Sequence, residues 1–213
     1  MKLAVRTSSG PYAIGLFDQD HNLLAERQAG GGGPRQSVPG VLLQECLREI
    51  DQAIDVVDEV IVDVGPGGLS STRVGVSFAN AISYGMRLKL FGGSALRMQM
   101  YDVRVNCRTP VLSMRPAPGG QSIWAFFEGL DLTASGCSSP DDVIAQHQKS
   151  FGTITVVGPM RRLKCHFEYT GAIFLNIESP SLESMLKSPR ISPQRDGNAC
   201  FLEPINSADG ASR

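Results

Sequence analysis

The sequence predicts an α/β protein with mixed sheets, organised as two lobes. Three observations carry that expectation. Over the first hundred residues, β-prone and amphipathic helical runs follow one another in the order β-β-β-α-β-α-β-α. The second half begins the same series again. The chain of 213 residues, with 42% hydrophobic and 19% charged side chains, has apolar surface for two cores of roughly 100 residues each.

The elements follow from local chemistry. Residues 3–7, 12–17 and 23–29 are short β-prone runs, parted by Ser8-Ser9-Gly10-Pro11 and by the turn-forming stretch 18–22, so three antiparallel strands are expected. A Gly-rich break, residues 30–33, leads to Pro34. Ser37 is placed to cap a helix in which Val38, Leu42, Leu43, Cys46, Leu47, Ile50 and Ile54 recur at three- and four-residue steps. Residues 59–64 read as an apolar strand closed by Gly65-Pro66-Gly67-Gly68. A second helix is expected over 69–87, a strand over 88–91 ended by Gly92-Gly93, and a third helix over 94–101.

In the second half, residues 109–114, 122–127 and 129–133 are the matching strands, 140–149 a helix, and 153–157 a strand ending in Gly158-Pro159. A last helix is expected over 179–186, with 187–197 and 206–213 as loop and frayed tail. The expected division is a first lobe over 1–102, a reduced second lobe over 103–205 and a flexible tail over 206–213. Three hairpin-connected strands followed by alternating helices and strands describe a ribonuclease-H-like unit. Two such units in one chain describe the actin, sugar-kinase and Hsp70 (ASKHA) superfamily, an analogy of fold alone.

Composition excludes several functions. A formal net charge of −1, with neither half polarised, provides no bulk steering toward nucleic acid or a membrane surface. Five widely spaced cysteines without a CxxC point to a reducing compartment, and no apolar run is long enough for a signal peptide or a membrane span. A cytoplasmic protein is expected.

The candidate chemistry is sparse. An active member of the superfamily needs an acidic residue near the end of the first strand, to hold a metal or position water by a phosphate. Arg6 stands there, and a cation cannot ligate Mg²⁺. His21, His147 and His166 are not paired at a metal-binding spacing. The turn Gly65-Pro66-Gly67-Gly68, with Arg73 one turn into the helix, fits either a phosphate cradle or tight packing of helix on sheet. The missing Lys-Ser/Thr pair and the N–H lost at Pro66 favour packing, with Arg73 as a structural ion pair or tether. In the second helix Gly75, Ala79 and Ser83 make a ridge of small side chains, and Val76, Ile82 and Met86 extend an apolar stripe. That surface fits either the first helix or a partner. Glu45, Glu49, Asp51, Asp55, Asp58 and Glu59 against Arg48 read as a solvated acidic face. Arg104, Arg108 and Arg115, and Arg161, Arg162 and Lys164, make two small basic clusters that fit a tRNA contact within a complex or, the favoured reading, scattered surface charge; Trp124, Phe126 and Phe127 fit core better than a base-stacking platform, and Cys46 reads as core.

Residues 65–77, GPGGLSSTRVGVS, resemble the strand-loop-helix signature of the bacterial TsaB (YeaZ) family, G-P-G-S-F-T-G-L-R-I-G, with Gly65, Pro66, Gly67, Arg73 and Gly75 identical and Ser70 in place of Thr. The opening Leu3-Ala4-Val5-Arg6-Thr7-Ser8 resembles L-A-I-D-T-S, with Arg6 for Asp, and Gly92-Gly93-Ser94-Ala95-Leu96 resembles G-V-S-S-L. The resemblance is to a divergent member, and residues 114–124 lack the acidic residues of the family's D-A-R-R-G-E-V-Y segment.

The resemblance implies a non-catalytic scaffold and activator in forming N6-threonylcarbamoyladenosine beside the tRNA anticodon. It implies binding to the transferase TsaD through the first two helices, here through Leu43, Leu47, Ile50, Gly75, Val76, Ala79, Ile82, Ser83 and Met86. The TsaE-like ATPase joins the complex, a homodimer forms when the chain is alone, and tRNA is met only indirectly. No catalytic or metal-binding residue is then expected here; ATP and metal belong to the TsaD partner. The alternative is a small nucleotide-binding enzyme of the same superfamily, kinase or peptidase-like.

Overall fold

The computed structural model describes residues 1–30, 38–104, 106–163, 165, 171–196 and 199–205. The expected cap at Ser37 and the tail 206–213 lie outside the described residues. In chain order the elements are β1 (Lys2–Arg6), β2 (Ala13–Phe17), β3 (Leu23–Gln28), α1 (Pro39–Glu49), β4 (Glu59–Gly65), α2 (Leu69–Met86), β5 (Lys89–Ser94) and α3 (Ala95–Arg104). They continue as β6 (Val111–Pro116), β7 (Ser122–Glu128), β8 (Asp131–Ser138), α4 (Pro140–Phe151), β9 (Ile154–Gly158), α5 (Met160–Leu163), β10 (Ala172–Asn176), α6 (Leu182–Lys187), β11 (Gln194–Asp196) and β12 (Ala199–Phe201).

The first five strands form one sheet, ordered β3-β2-β1-β4-β5, antiparallel along β1–β2–β3 and parallel along β1–β4–β5. The second sheet is ordered β10-β9-β6-β7-β8, with β6–β7–β8 antiparallel and β6–β9–β10 parallel. Read from its other edge it repeats the first. The chain is therefore the expected two-lobed α/β fold, one ribonuclease-H-like arrangement used twice.

Strand alternation decides what each face touches. Leu3, Val5, Val60, Val62 and Val64 meet α1 and α2 on one side of the first sheet, packed with Leu42, Leu43, Cys46, Leu47, Val76 and Ala79. Ala4 and Ile61 face the other side, where Met98 of α3 and Leu182, Met185 and Leu186 of α6 cover them. In the second sheet Leu112, Met114, Phe126 and Val156 meet α4 and α5, while Val111, Ala125, Phe127 and Val157 meet Leu96, Met100 and Val103 of α3. Helix α3 thus gives side chains to both sheets. The layers run α1/α2, sheet, α3/α6, sheet, α4/α5.

Several boundaries differ from expectation. Helix α1 stops at Glu49 instead of running to Ile54: Asp51 adopts φ 51°, the Gln52 N–H bonds the Leu47 carbonyl at 3.0 Å, and Ile54 lies in a separate 3-10 turn. Strand β5 runs through Gly92-Gly93, where a break was expected, because Gly92 pairs with Ile191 and a β-carbon there would lie 3.0 Å from Val64. Strand β8 is longer than expected, and β10, α5 and the hairpin β11–β12 were not expected. After β10 the chain returns to the first sheet: Leu202 joins its core and the Ile205 N–H bonds the Val64 carbonyl at 2.6 Å. Among the described residues no helix is long and apolar enough to cross a membrane.

Candidate functional site

The glycine signature is explained by close packing. Gly65 has φ +96°, a conformation that disfavours side chains, and its N–H donates to Asp63 Oδ1 at 2.9 Å. A β-carbon on Gly67 would come within 2.2 Å of the Ser8 carbonyl oxygen, and one on Gly75 within 2.1 Å of Thr7 Oγ1. The Gly68 N–H donates to that Ser8 carbonyl at 3.0 Å. The turn and the first half of α2 are thereby drawn onto the end of β1, with Pro66 buried and Ser70 exposed. Arg73 is exposed and forms no ion pair with the described residues, so the tether expected of it is not made.

A buried polar network joins this turn to the second lobe. Arg115, on β6, is 3% exposed. Its Nε donates to the Pro66 carbonyl at 3.3 Å, Nη1 to the Glu178 carbonyl at 3.4 Å and Nη2 to Ser8 Oγ at 3.4 Å. Ser8 Oγ donates in turn to Asp63 Oδ2. Burial pushes the Asp63 carboxyl above its ordinary range, against the pull of the Ser8 hydroxyl, Arg115, the Gly65 N–H and Arg6. Burial brings the Arg115 guanidinium down to about 10, with Asp63 acting the other way. Arg6 is 4% exposed, its Nη1 donates to the Pro180 carbonyl, and burial lowers its pKa against Asp63, Glu26 and Asp102.

Arg6 also lines a cavity of about 620 Å³ between the lobes, with Glu26, Asp102, Glu178 and Glu183. One cation among four carboxylates is an unfavourable setting for a polyphosphate. Among the described residues no three His, Cys, Asp or Glu side chains come together as a metal site. His147 is buried against Trp124 and Phe126, His21 lies in the β2–β3 turn, and His166 is outside the described residues.

The residues singled out on the two helices separate into two groups. Gly75, Val76, Ala79 and Ser83 are buried toward the first sheet, so the small-residue ridge packs within its own lobe. Leu43 and Leu47 of α1, which also pack in that lobe's core, and Ile82 of α2 line an outward groove of about 460 Å³ with Gly40, Gln44, Arg48, Gln52, Ile54 and Phe78. Ile50 and Met86 are half-buried outside that lining. Phe78 lines the groove and was not singled out beforehand, although it falls four residues before Ile82, the spacing that would have marked it; Ile54 was expected only as the end of the first helix's apolar stripe.

Other expectations resolve simply. Three members of the acidic run are paired: Glu49 with Arg27 at 2.6 Å, Asp58 with the N-terminal ammonium at 3.0 Å and Glu59 with Arg190 at 2.8 Å. Cys46 is buried, with its thiol pushed up to about 11 by burial. Arg115, expected at the surface, is the buried centre of the network, and Asp63 was not singled out at all.

A protein-family model described as TsaD, tRNA N6-adenosine threonylcarbamoyltransferase, matches residues 38–155, more than half of the chain. Two solved structures share the fold. One is an uncharacterized protein with similarity to peptidase YEAZ from Pseudomonas aeruginosa, at TM-score 0.69 and 14% identity over 87% of this chain and 88% of that one. The other is YeaZ from Pseudomonas aeruginosa, at TM-score 0.67 and 15% identity over the same shares. No curated protein matches the sequence.

Proposed function

This chain belongs to the TsaD family of tRNA N6-adenosine threonylcarbamoyltransferases, and from that premise we propose that it serves tRNA threonylcarbamoyladenosine formation as a TsaB-like, non-catalytic partner of the transferase. The observation that carries the reading is the junction between the lobes. Where an active member needs an acidic group facing a phosphate, Arg6 is buried and bonded to the Pro180 carbonyl, and the adjoining cavity is lined by four carboxylates. Arg115 fills the space beside the signature turn from the other lobe. These groups hold the two lobes together and do not suit a nucleotide.

The partner face is the groove between α1 and α2. Leu43, Leu47, Ile54, Phe78 and Ile82 give it an apolar centre beside Gln44, Arg48 and Gln52, and α2 carries only Arg73 as a charge along its 18 residues. An apolar ridge from a second helix pair fits such a groove. A TsaD-like protein is the proposed occupant, and a second copy of this chain takes its place when the chain is alone. ATP and metal are proposed to belong to the TsaD-like partner, a TsaE-like ATPase to complete the complex, and the work to take place in the cytoplasm.

Affinity purification of the chain from its own cells tests this. The expected result is recovery of the TsaD-like protein, with loss of threonylcarbamoyladenosine from the tRNA of cells lacking the chain. Absence of the complex together with normal modification overturns the reading. Calorimetric titration with Mg-ATP tests the alternative of a small nucleotide-binding enzyme, which requires binding followed by turnover by the isolated chain.

A further inference from the structure

A cavity of about 830 Å³ shares no lining residue with the lobe junction or the α1/α2 groove. It opens where α2 ends and β5 begins, between Tyr84, Arg87, Lys89 and Phe91 on one side and Ser192 and Pro193 on the other. Three features set it apart. Tyr84 is 74% exposed, the most exposed of the chain's large apolar or aromatic side chains among the described residues. Among the described residues the charged side chains in the lining are Arg87 and Lys89, and neither forms an ion pair with a described residue. Arg87 also closes α2 in the left-handed conformation, φ 57°, a position that favours Gly or Asn.

The neighbouring charges do not cancel this field. Glu59 is engaged by Arg190, whose guanidinium also lies 4.9 Å from the centre of the Phe91 ring. Asp58, which Lys89 approaches, accepts from the N-terminal ammonium at 3.0 Å and from Gln19 Nε2 at 2.7 Å. An exposed ring beside two cations, with no carboxylate among the described lining residues, is complementary to a stacked base carrying phosphates.

We propose that this cavity is a direct contact for a single-stranded segment of RNA, with a base stacked on Tyr84 and the backbone phosphates against Arg87 and Lys89. The inference rests on the tRNA role proposed above and goes beyond it, because that role alone has tRNA met only through the partner. A free mononucleotide is a poorer occupant. One ring and two cations offer few contacts to a small ligand, with no cradle of backbone N–H groups around its phosphates, whereas in a polymer each contact adds to those of its neighbours.

The test is fluorescence anisotropy of the purified full chain with a labelled single-stranded oligoribonucleotide, against Tyr84→Ala and the double variant Arg87→Glu with Lys89→Glu. Each is expected to weaken binding by about tenfold. The double variant is also expected to reduce the slope of log K against log salt by about 1.4. Circular dichroism melts superimposable on the parent show that these exposed changes leave the fold intact. Binding unaffected by both variants, no binding of the oligonucleotide, or competition by poly-glutamate or ATP but not by RNA each overturns the proposal. Recovery of the TsaD-like protein by the double variant separates the two readings: RNA binding lost with the complex intact leaves the scaffold role standing.

Discussion

Arg115 of the second sheet donates from Nε to the carbonyl of Pro66, 3.3 Å away in the turn that follows strand β4 of the first sheet. The two residues come from different lobes, 49 positions apart, and both are buried. The lobes are therefore fastened by a charge as well as by α3, with Asp63 as the carboxylate on the same network.

Removing that cation strands Asp63 and the Pro66 carbonyl in the interior. Arg115→Met is expected to destabilise the chain by about 3–5 kcal/mol, the range for breaking one side of a buried pair. Pairing it with Asp63→Asn is expected to cost less than the sum of the separate changes, because the two groups share a network. Urea titration of the four proteins, followed by circular dichroism, measures both effects.

Asp63 also predicts a pH dependence. Its folded pKa is raised by burial above the ordinary 3.8, so the folded state holds the proton more tightly than the unfolded one. Its contribution is complete below pH 3.8 and is lost as pH rises through the folded pKa. Between those limits the unfolding free energy of the parent is expected to fall with pH more steeply than that of Asp63→Asn. Urea titrations in a series of acidic buffers give the two slopes, and equal slopes would show that Asp63 does not titrate there.

Two glycines in one helix should respond with opposite signs. A β-carbon at Gly75 meets Thr7 Oγ1 at 2.1 Å, whereas at Gly85 it meets nothing within 4 Å. Gly75→Ala forces α2 off the end of β1 and is expected to cost about 1–3 kcal/mol. Gly85→Ala is expected to stabilise the chain by about 0.5–1 kcal/mol through helix propensity. Thermal melts compare the two directly.

The sequence revealed these elements unevenly, for physical reasons. The first lobe was legible because the 3–7, 12–17 and 59–64 runs are apolar, and the glycines at 65–68 mark where β4 meets α2. Strand β8 was legible only in its first residues: Ala134, Ser135 and Gly136 have little strand preference and are held by pairing with β7, with Gly136 under the Trp124 ring, where a β-carbon would lie 2.6 Å from Cζ2. Strand β10 is an edge strand with Ile173 and Leu175 exposed, so it shows no clean alternation of buried and solvated positions. The Asp63–Ser8–Arg115 network has no local signature, since its members are 55 and 107 positions apart. The one sign was an aspartate inside the apolar run of β4. On α2, periodicity found the small-residue ridge but not its direction, because a ridge that packs on its own sheet reads the same as one that packs on a partner.

That direction decides how the partner face must be tested. Ala79 is fully buried toward the first sheet, so a charge there disturbs the lobe's own core. Ile82 is only partly buried, lines the outward groove with Leu43 and Leu47, and lies one turn beyond Phe78. Ile82→Glu places a carboxylate in the path of an incoming apolar side chain, and an unpaired charge buried at an interface core costs binding about 2–5 kcal/mol. Replacing Gln44, at the groove's rim, with Glu should change association more than final affinity. The expected outcome for Ile82→Glu is loss of the TsaD-like protein from pull-downs and monomeric mass by light scattering, with a circular dichroism spectrum like the parent's. If both assemblies persist in a folded Ile82→Glu protein, the groove is not the partner face.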